Sequence, residues 1–191
     1  LDRALALARS HPDVVDLLVV GNEVLLRREL APAALAALLA RAQRESVVPV
    51  AYADVWELWL RHGPVLRGHV DVVAAHVLPY WEDRPVAVVD AVDHVAGIAA
   101  ALGAVFDPLR VYIAETGWPA AGRQRGPAVP GRLEQARFVR ELLVRQAAGK
   151  QAQPARGAGG CLRSAVPYIK LKEISLRRYS RQRVHCWAAF S

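Results

Sequence analysis

The sequence predicts an α/β fold built on parallel strands, and three observations carry that expectation. Short apolar runs alternate with longer Ala- and Leu-rich segments of helical period. The runs are apolar at successive positions, as in strands covered by helices on both faces. Polar and aromatic residues gather where the runs end: Asn22 and Glu23, Tyr52 and Asp54, His76 and Tyr80, and Glu115. Strand–helix alternation implies parallel strands joined by right-handed crossovers, and leaves a doubly wound sheet and a barrel both open. Functional side chains collected at the C-terminal ends of several strands lean toward the barrel, whose active sites are assembled there.

Each element has its own signal. The chain begins Leu1-Asp2-Arg3-Ala4-Leu5-Ala6-Leu7-Ala8, a helical pattern already under way. Residues 14–20 are apolar except for Asp16 and are closed by Gly21-Asn22, which reads as a first strand. Pro32 suits the first position of a helix, where its fixed φ helps and its missing N–H costs nothing, and that helix runs to about residue 44. Residues 47–51 read as a second strand, 55–62 as a helical turn or short helix, and 70–77 as a third strand. Residues 85–102 read as a helix ended near Gly103, and 110–114 as a fourth strand. A helix over 132–148 places Leu133, Ala136, Phe138, Leu142 and Leu143 in an amphipathic pattern.

With 191 residues, one domain is expected, and 53% hydrophobic residues supply a sizeable core. An eight-fold βα barrel usually takes about 250 residues, so the chain is short for a complete one. The net charge of +7 would suggest nucleic acid, but its location argues otherwise. Residues 1–149 hold 16 Arg and no Lys against 17 acidic residues, whereas residues 150–191 hold 9 basic residues against Glu173 alone. The basic excess therefore belongs to a separate C-terminal segment, which also carries Cys161, Cys186 and all three lysines. Two cysteines make neither a disulfide framework nor a metal motif. The sequence holds no Gly-rich phosphate loop and no His, Cys and Asp cluster at metal-ligand spacing, so neither a cofactor nor a metal is expected. No apolar run approaches the ~18 to 20 residues of a membrane span, so no transmembrane segment is expected. No leader peptide is recognised, and Leu1 is not a start methionine.

The chemistry points to two glutamates. Gly21-Asn22-Glu23 follows the first apolar run, and Glu115-Thr116-Gly117-Trp118-Pro119 follows the fourth. A carboxylate at the end of an apolar strand is costly to desolvate unless it is paired, hydrogen-bonded or facing an opening. Glycoside hydrolysis requires two such groups, one protonated and one ionised. The plain alternative is that each glutamate caps a helix or faces water. Trp56 and Trp59 after the second run, Tyr80-Trp81 after the third and Trp118 near Glu115 weigh against it, because aromatic faces suit the C–H faces of sugars. Trp59 itself reads as core.

Four segments carry a resemblance. Val20-Gly21-Asn22-Glu23-Val24, Val50-Ala51-Tyr52-Ala53-Asp54-Val55-Trp56-Glu57, His76-Val77-Leu78-Pro79-Tyr80-Trp81-Glu82-Asp83 and Ala114-Glu115-Thr116-Gly117-Trp118-Pro119 together resemble bacterial members of glycoside hydrolase family 17. That family comprises β-1,3-glucanases and β-1,3-glucan transglycosylases. The resemblance covers residues 1–149 and implies a (β/α)8 barrel with a retaining mechanism. It implies Glu23 as acid/base at the end of the fourth barrel strand and Glu115 as nucleophile at the end of the seventh. Asn22 is implied as the partner of the sugar 2-hydroxyl. Tyr52, Asp54, His76, Tyr80, Trp81 and Trp118 are implied as substrate-binding cleft residues; His94, read apart from the resemblance, is a helix-surface residue rather than a metal ligand. The implied partner is a β-glucan oligosaccharide or polysaccharide. A periplasmic, membrane-associated or extracellular setting fits a fuller protein.

By the same resemblance, barrel strands one to three belong before Leu1 and strand eight after the helix ending near residue 148. No matching motif is recognised in either place, so the chain is expected to hold strands four to seven of an incomplete barrel and to be inactive alone. Three readings of residues 150–191 arise: a shifted reading frame, a divergent extension, or a basic segment for nucleic acid or anionic membrane centred on Arg177-Arg178-Tyr179-Ser180-Arg181-Gln182-Arg183. The abrupt change in Lys, Cys, Ser and charge favours the first, and no nucleic-acid partner is expected.

Overall fold

The computed structural model describes residues 1–151, 170–172 and 184–188, with side chains described through residue 148. The basic core at residues 177–183 lies outside the described residues, as does most of the C-terminal segment. The elements run α1 (Asp2–Ser10), β1 (Val15–Asn22), α2 (Pro32–Glu45), β2 (Val50–Val55), α3 (Trp56–Leu66), β3 (Val72–His76), α4 (Val88–Phe106), β4 (Arg110–Gly117), α5 (Arg132–Gln151), β5 (Lys170–Lys172) and β6 (Val184–Ala188). They group into two compact units. One contains Leu1–His76, Leu102–Tyr112 and β6; the other contains Val77–Ala101, the rest of β4, α5 and β5.

In the first unit β2 lies between β1 and β3, and β6 lies on the other side of β1, all parallel. Every residue of β3 is buried, as are all of β2 except Val55 and all of β1 except Asp16 and Asn22. This burial explains the uninterrupted apolar runs, since parallel strands need cover on both faces. Helix α2 starts with Pro32 in its first turn and buries Leu35, Ala36, Leu39 and Ala42. Helix α3 buries Trp59, Gly63 and Leu66 at spacings of four and three. The Trp59 indole donates to the Ala74 carbonyl at 3.1 Å, and its ring meets Phe106 edge-on at 5.5 Å. The core reading of Trp59 therefore agrees with the fold. At the opposite strand ends, Asp71 accepts from the Val50 amide at 2.8 Å and the Gln43 side chain at 3.1 Å.

In the second unit β4 pairs in parallel with β5, placing Glu115 opposite Lys170. Trp118 and Phe138 of α5 stack at 29° and 6.1 Å, and Tyr80 meets Trp118 edge-on at 5.6 Å. Trp118 and Phe138 are fully buried. Helix α4 is long and apolar enough, by length and composition alone, to cross a membrane. The sequence reading, which found no apolar run of that length, did not pick out this stretch, in which Asp90, Asp93 and His94 lie among the apolar residues. Its buried positions Ala91, Val92, Val95 and Ala99 instead form one stripe at helical spacing.

Several boundaries differ from the expectations. The second strand begins at Val50 rather than residue 47, because Pro49 has no N–H to donate and Ser46 ties down Val48 through its hydroxyl. Both β1 and β4 run past their apolar segments, through Asn22 and Gly117. Helix α4 continues through Gly103 to Phe106. Neither β5 nor β6 was anticipated.

Candidate active site

The C-terminal ends of β1, β2 and β3 bring five of the singled-out residues together. Along β1 the register with β2 slips between Val19 and Asn22, the mark of a bulge that re-aims the residues after it. Gly21 takes φ +84° within it, and Glu23 takes φ +55°, a conformation few side-chain-bearing residues adopt. The Glu23 amide still reaches the ladder, donating to the Ala53 carbonyl at 2.8 Å. Its carboxylate is thereby placed with Oε1 3.1 Å from His76 Nδ1 and Oε2 3.6 Å from an Arg27 guanidinium nitrogen. His76 is fully buried, whereas Arg27 is half-exposed. The Oδ1 atom of Asn22 and Nε2 of His76 are buried without a protein hydrogen-bond partner among the described residues. Such atoms are costly to leave unsatisfied and are available to a ligand or solvent.

Tyr52 and Asp54 face the backbone of the segment after Glu23. Asp54 is fully buried and accepts from the Leu25 amide at 3.1 Å, the Val55 amide at 2.8 Å and the Tyr52 hydroxyl. The Leu25 amide also reaches the Tyr52 oxygen at 3.1 Å. Burial raises the Asp54 pKa above the ordinary carboxylate value, while the hydrogen bonds from Tyr52 and the Val55, Leu25 and Leu26 amides oppose that rise. Burial, aided by the hydrogen bond to Asp54 and its charge, pushes the Tyr52 phenol above its usual range.

The remaining residues lie in the second unit. Glu115 sits in β4 and is 8% exposed, and its carbonyl accepts from the Val77 amide at 3.0 Å. Thr116 beside it is buried, with Oγ1 unpartnered among the described residues. Tyr80 donates its hydroxyl to the Arg123 carbonyl. Trp81 is partly exposed and meets Tyr80 edge-on at 5.1 Å. Arg125 donates to the Trp81 carbonyl at 2.9 Å and the Glu82 carbonyl at 3.2 Å, and lies 6.0 Å from the Tyr80 ring centre. The loop after β4 is thus fastened to the loop after β3. Trp118 is buried, and its indole donates to the Val129 carbonyl at 2.9 Å. His94 on α4 pairs with Glu82 at 2.8 Å. A shallow concavity of about 390 Å³ between α4 and α5, lined by Val92, Asp93, Arg140 and Val144 among others, has none of these residues in its wall.

Sequence reasoning missed Arg27, Arg125 and the Leu25 amide. The i,i+4 spacing of Glu23 and Arg27 was a usable signal for the first. Arg125 and the amide had none, since each pairs with groups distant in sequence, Arg125 with the Trp81 and Glu82 carbonyls and the amide with the Tyr52 and Asp54 side chains.

Comparison with known proteins places this geometry. Residues 2–153 match the model of the BtgE/BtgC glycoside hydrolase domain. A probable beta-glucosidase btgE of Aspergillus fumigatus is 31% identical over 147 residues, covering 74% of this chain and 26% of that protein. The glycoside hydrolase family 17 β-1,3-glucanosyltransferase of Rhizomucor miehei is 27% identical with a TM-score of 0.64, over 71% of this chain and 50% of that one. An active-site mutant of the Rhizomucor miehei enzyme in complex with laminaritriose gives a TM-score of 0.65 at 24% identity, over 81% and 53% of the two chains. This chain thus spans about a quarter of the curated relative and about half of the solved neighbours. Its α/β fold matches a fragment of their barrel, and the chain belongs to the BtgE/BtgC glycoside hydrolase domain family, of the glycoside hydrolase family 17 type.

Proposed function

We propose that this chain carries the catalytic glutamates of a retaining glycoside hydrolase acting on β-1,3-glucan, with Glu23 as acid/base and Glu115 as nucleophile. The observation that carries the reading is the Glu23 carboxylate, held on a left-handed backbone turn against the buried ring of His76. An outlier backbone at a strand end marks a side chain whose position matters more than its local strain. Asn22, with a buried and unpartnered Oδ1, supports a role toward a sugar hydroxyl. The laminaritriose bound by the Rhizomucor miehei mutant supports the choice of β-1,3-linked glucose.

In this mechanism Glu115 attacks the anomeric carbon while Glu23 gives its proton to the departing glycosidic oxygen. The C–O bond to the leaving group breaks as the glycosyl–Glu115 ester forms. Glu23, now ionised, removes a proton from water or from a sugar hydroxyl, whose oxygen displaces Glu115 and regenerates both groups. Water gives hydrolysis and a sugar gives transfer. The family 17 glucanosyltransferase among the neighbours favours transfer as the second reading.

Incubation of laminari-oligosaccharides with a fuller protein that completes the barrel around this segment tests the proposal; the segment alone is expected to form no product. The expected result is shorter products first released in the β configuration, lost in Glu115→Gln and strongly reduced in Glu23→Gln. Products longer than the starting sugar indicate transfer. Release of the α configuration contradicts the retaining mechanism, and a folded, complete barrel that forms no product contradicts catalysis by these glutamates.

A further inference from the structure

Tyr52 and Asp54 were expected to line the substrate cleft, yet they are 1% and 0% exposed. Their polar atoms are committed to one another and to main-chain amides. We infer that Tyr52 and Asp54 are positioning residues that hold the Glu23 carboxylate in place by clamping the turn formed by residues 23–26. This inference rests on the reading of Glu23 as the acid/base.

The turn needs such a clamp. Strand β1 ends in a bulge, and at Glu23 the chain enters the left-handed region, which disfavours a residue with a side chain. One side is fixed by the Glu23 amide on the Ala53 carbonyl. The chain then closes a short turn, with the Arg27 amide on the Glu23 carbonyl at 2.8 Å and the Glu29 amide on the Val24 carbonyl at 2.9 Å. The Leu25 amide is left pointing inward, away from water. Asp54 Oδ2 and the Tyr52 oxygen both receive it at 3.1 Å, and the Leu26 amide also donates to Asp54. Asp54 Oδ1 is meanwhile anchored to the Val55 amide of its own strand. The carboxylate thus bridges the end of β2 to the turn carrying Glu23, two residues from that glutamate. Ala53, between Tyr52 and Asp54, supplies the carbonyl that takes the Glu23 amide, so the 52–54 segment grips the turn at both ends.

The chemistry of the pair fits this role. A carboxylate accepts at both oxygens, whereas Asn must present an N–H at one of them. In Asp54→Asn that N–H meets either the Val55 amide or the Leu25 amide and Tyr52 hydroxyl, so one donor loses its acceptor whichever way the amide lies. Four donors converge on the buried Asp54 carboxyl and offset part of the cost of its burial.

The test separates positioning from general structural damage. Aryl β-laminaribiosides with a dinitrophenolate leaving group need little proton donation, whereas the methylumbelliferyl or phenyl analogues need it in the transition state. Asp54→Asn is expected to lower kcat/KM on the phenyl substrate at least ~10-fold while leaving the dinitrophenyl substrate within ~3-fold, a smaller version of the ~100-fold or greater contribution of a general acid. The effect is expected in kcat more than in KM. Tyr52→Phe should move in the same direction by less, because it leaves the Asp54 acceptors in place. Amide exchange at Leu25 is expected to accelerate in Asp54→Asn while the Val19 and Ala51 amides are unchanged. Equal losses on both substrates, or unchanged exchange at Leu25, overturn the inference. Glu23→Gln is the control for the underlying reading. These assays use the fuller protein that completes the barrel; if Glu23→Gln too fails to discriminate between the substrates, or if that folded protein turns over neither, the acid/base reading falls and this inference falls with it.

Discussion

Glu23 combines the side chain proposed as acid/base with an unfavourable backbone, and the two can be separated by comparing Glu23→Gly with Glu23→Ala. Both delete the carboxylate, its contact with His76 and its interaction with Arg27, so those losses cancel between the variants. What remains is the backbone at φ +55°. A residue with a Cβ pays about 1–2 kcal/mol there, whereas glycine pays almost none. Against this, glycine loses more chain entropy on folding, which costs about 0.5–1 kcal/mol relative to alanine. The Gly variant is therefore expected to be the more stable by about 0.5–1 kcal/mol, the reverse of the order in an ordinary helix or strand. Urea unfolding followed by tryptophan fluorescence measures the difference, read from the midpoints provided the slopes agree. In a chain of 191 residues the same difference moves the melting temperature by roughly 1–4 °C. An alanine variant as stable as the glycine variant, or more so, would refute the left-handed turn and with it the strained seat of the carboxylate.

Gly63→Ala probes the core beneath the site. An added Cβ would lie 2.5 and 2.6 Å from two Phe106 ring atoms, and Phe106 is itself 1% exposed and packed on Trp59. Overpacking of about 1–3 kcal/mol then outweighs the ~1 kcal/mol gain in helix propensity, so urea midpoints should fall and Phe106→Leu should partly restore them; a stabilised Gly63→Ala would contradict the packing. Tyr52 supplies a pH test. Its folded pKa is raised, so above about pH 10 the unfolded chain has released a proton that the folded chain keeps, and stability falls as pH rises. The stability advantage of wild type over Tyr52→Phe should therefore shrink between about pH 9 and pH 11, and an advantage independent of pH would count against the buried phenol.

Much of the fold was legible because its strands are buried on both faces. Leu17-Leu18-Val19-Val20 and Val72-Val73-Ala74-Ala75 announce themselves by composition, since parallel strands leave no face for polar residues. The strand ends were less legible for the same reason that they matter. Tyr52, Asp54, Glu115 and Thr116 break the apolar pattern while the backbone ladder continues through them. Asp54 is tolerated there because the Leu25 amide, 29 residues away in sequence, donates a hydrogen bond to it. Periodicity has no access to such a partner. The motif around Asn22 and Glu23 carried the family resemblance, which the family match bears out, but the bulge and left-handed turn that aim Glu23 depend on register with β2. Val47 and Val48 looked like the start of a strand, and only Pro49 and the Ser46 turn exclude them. Lys170–Lys172 and Val184–Ala188 are too short to stand out against the basic composition around them.

Covalent trapping addresses the catalytic claim most directly. A fuller protein that completes the barrel around this segment would be incubated with a 2-deoxy-2-fluoro β-laminaribiosyl fluoride, whose activated leaving group needs little help from Glu23 and whose fluorine slows breakdown of the ester. Intact mass spectrometry followed by peptide mapping locates the adduct. The mechanism predicts one fluorosugar attached to Glu115, absent from Glu115→Gln and still formed by Glu23→Gln. A folded protein that gains no adduct, or that carries it on any other residue, would contradict the assignment of Glu115 as the nucleophile of a retaining enzyme.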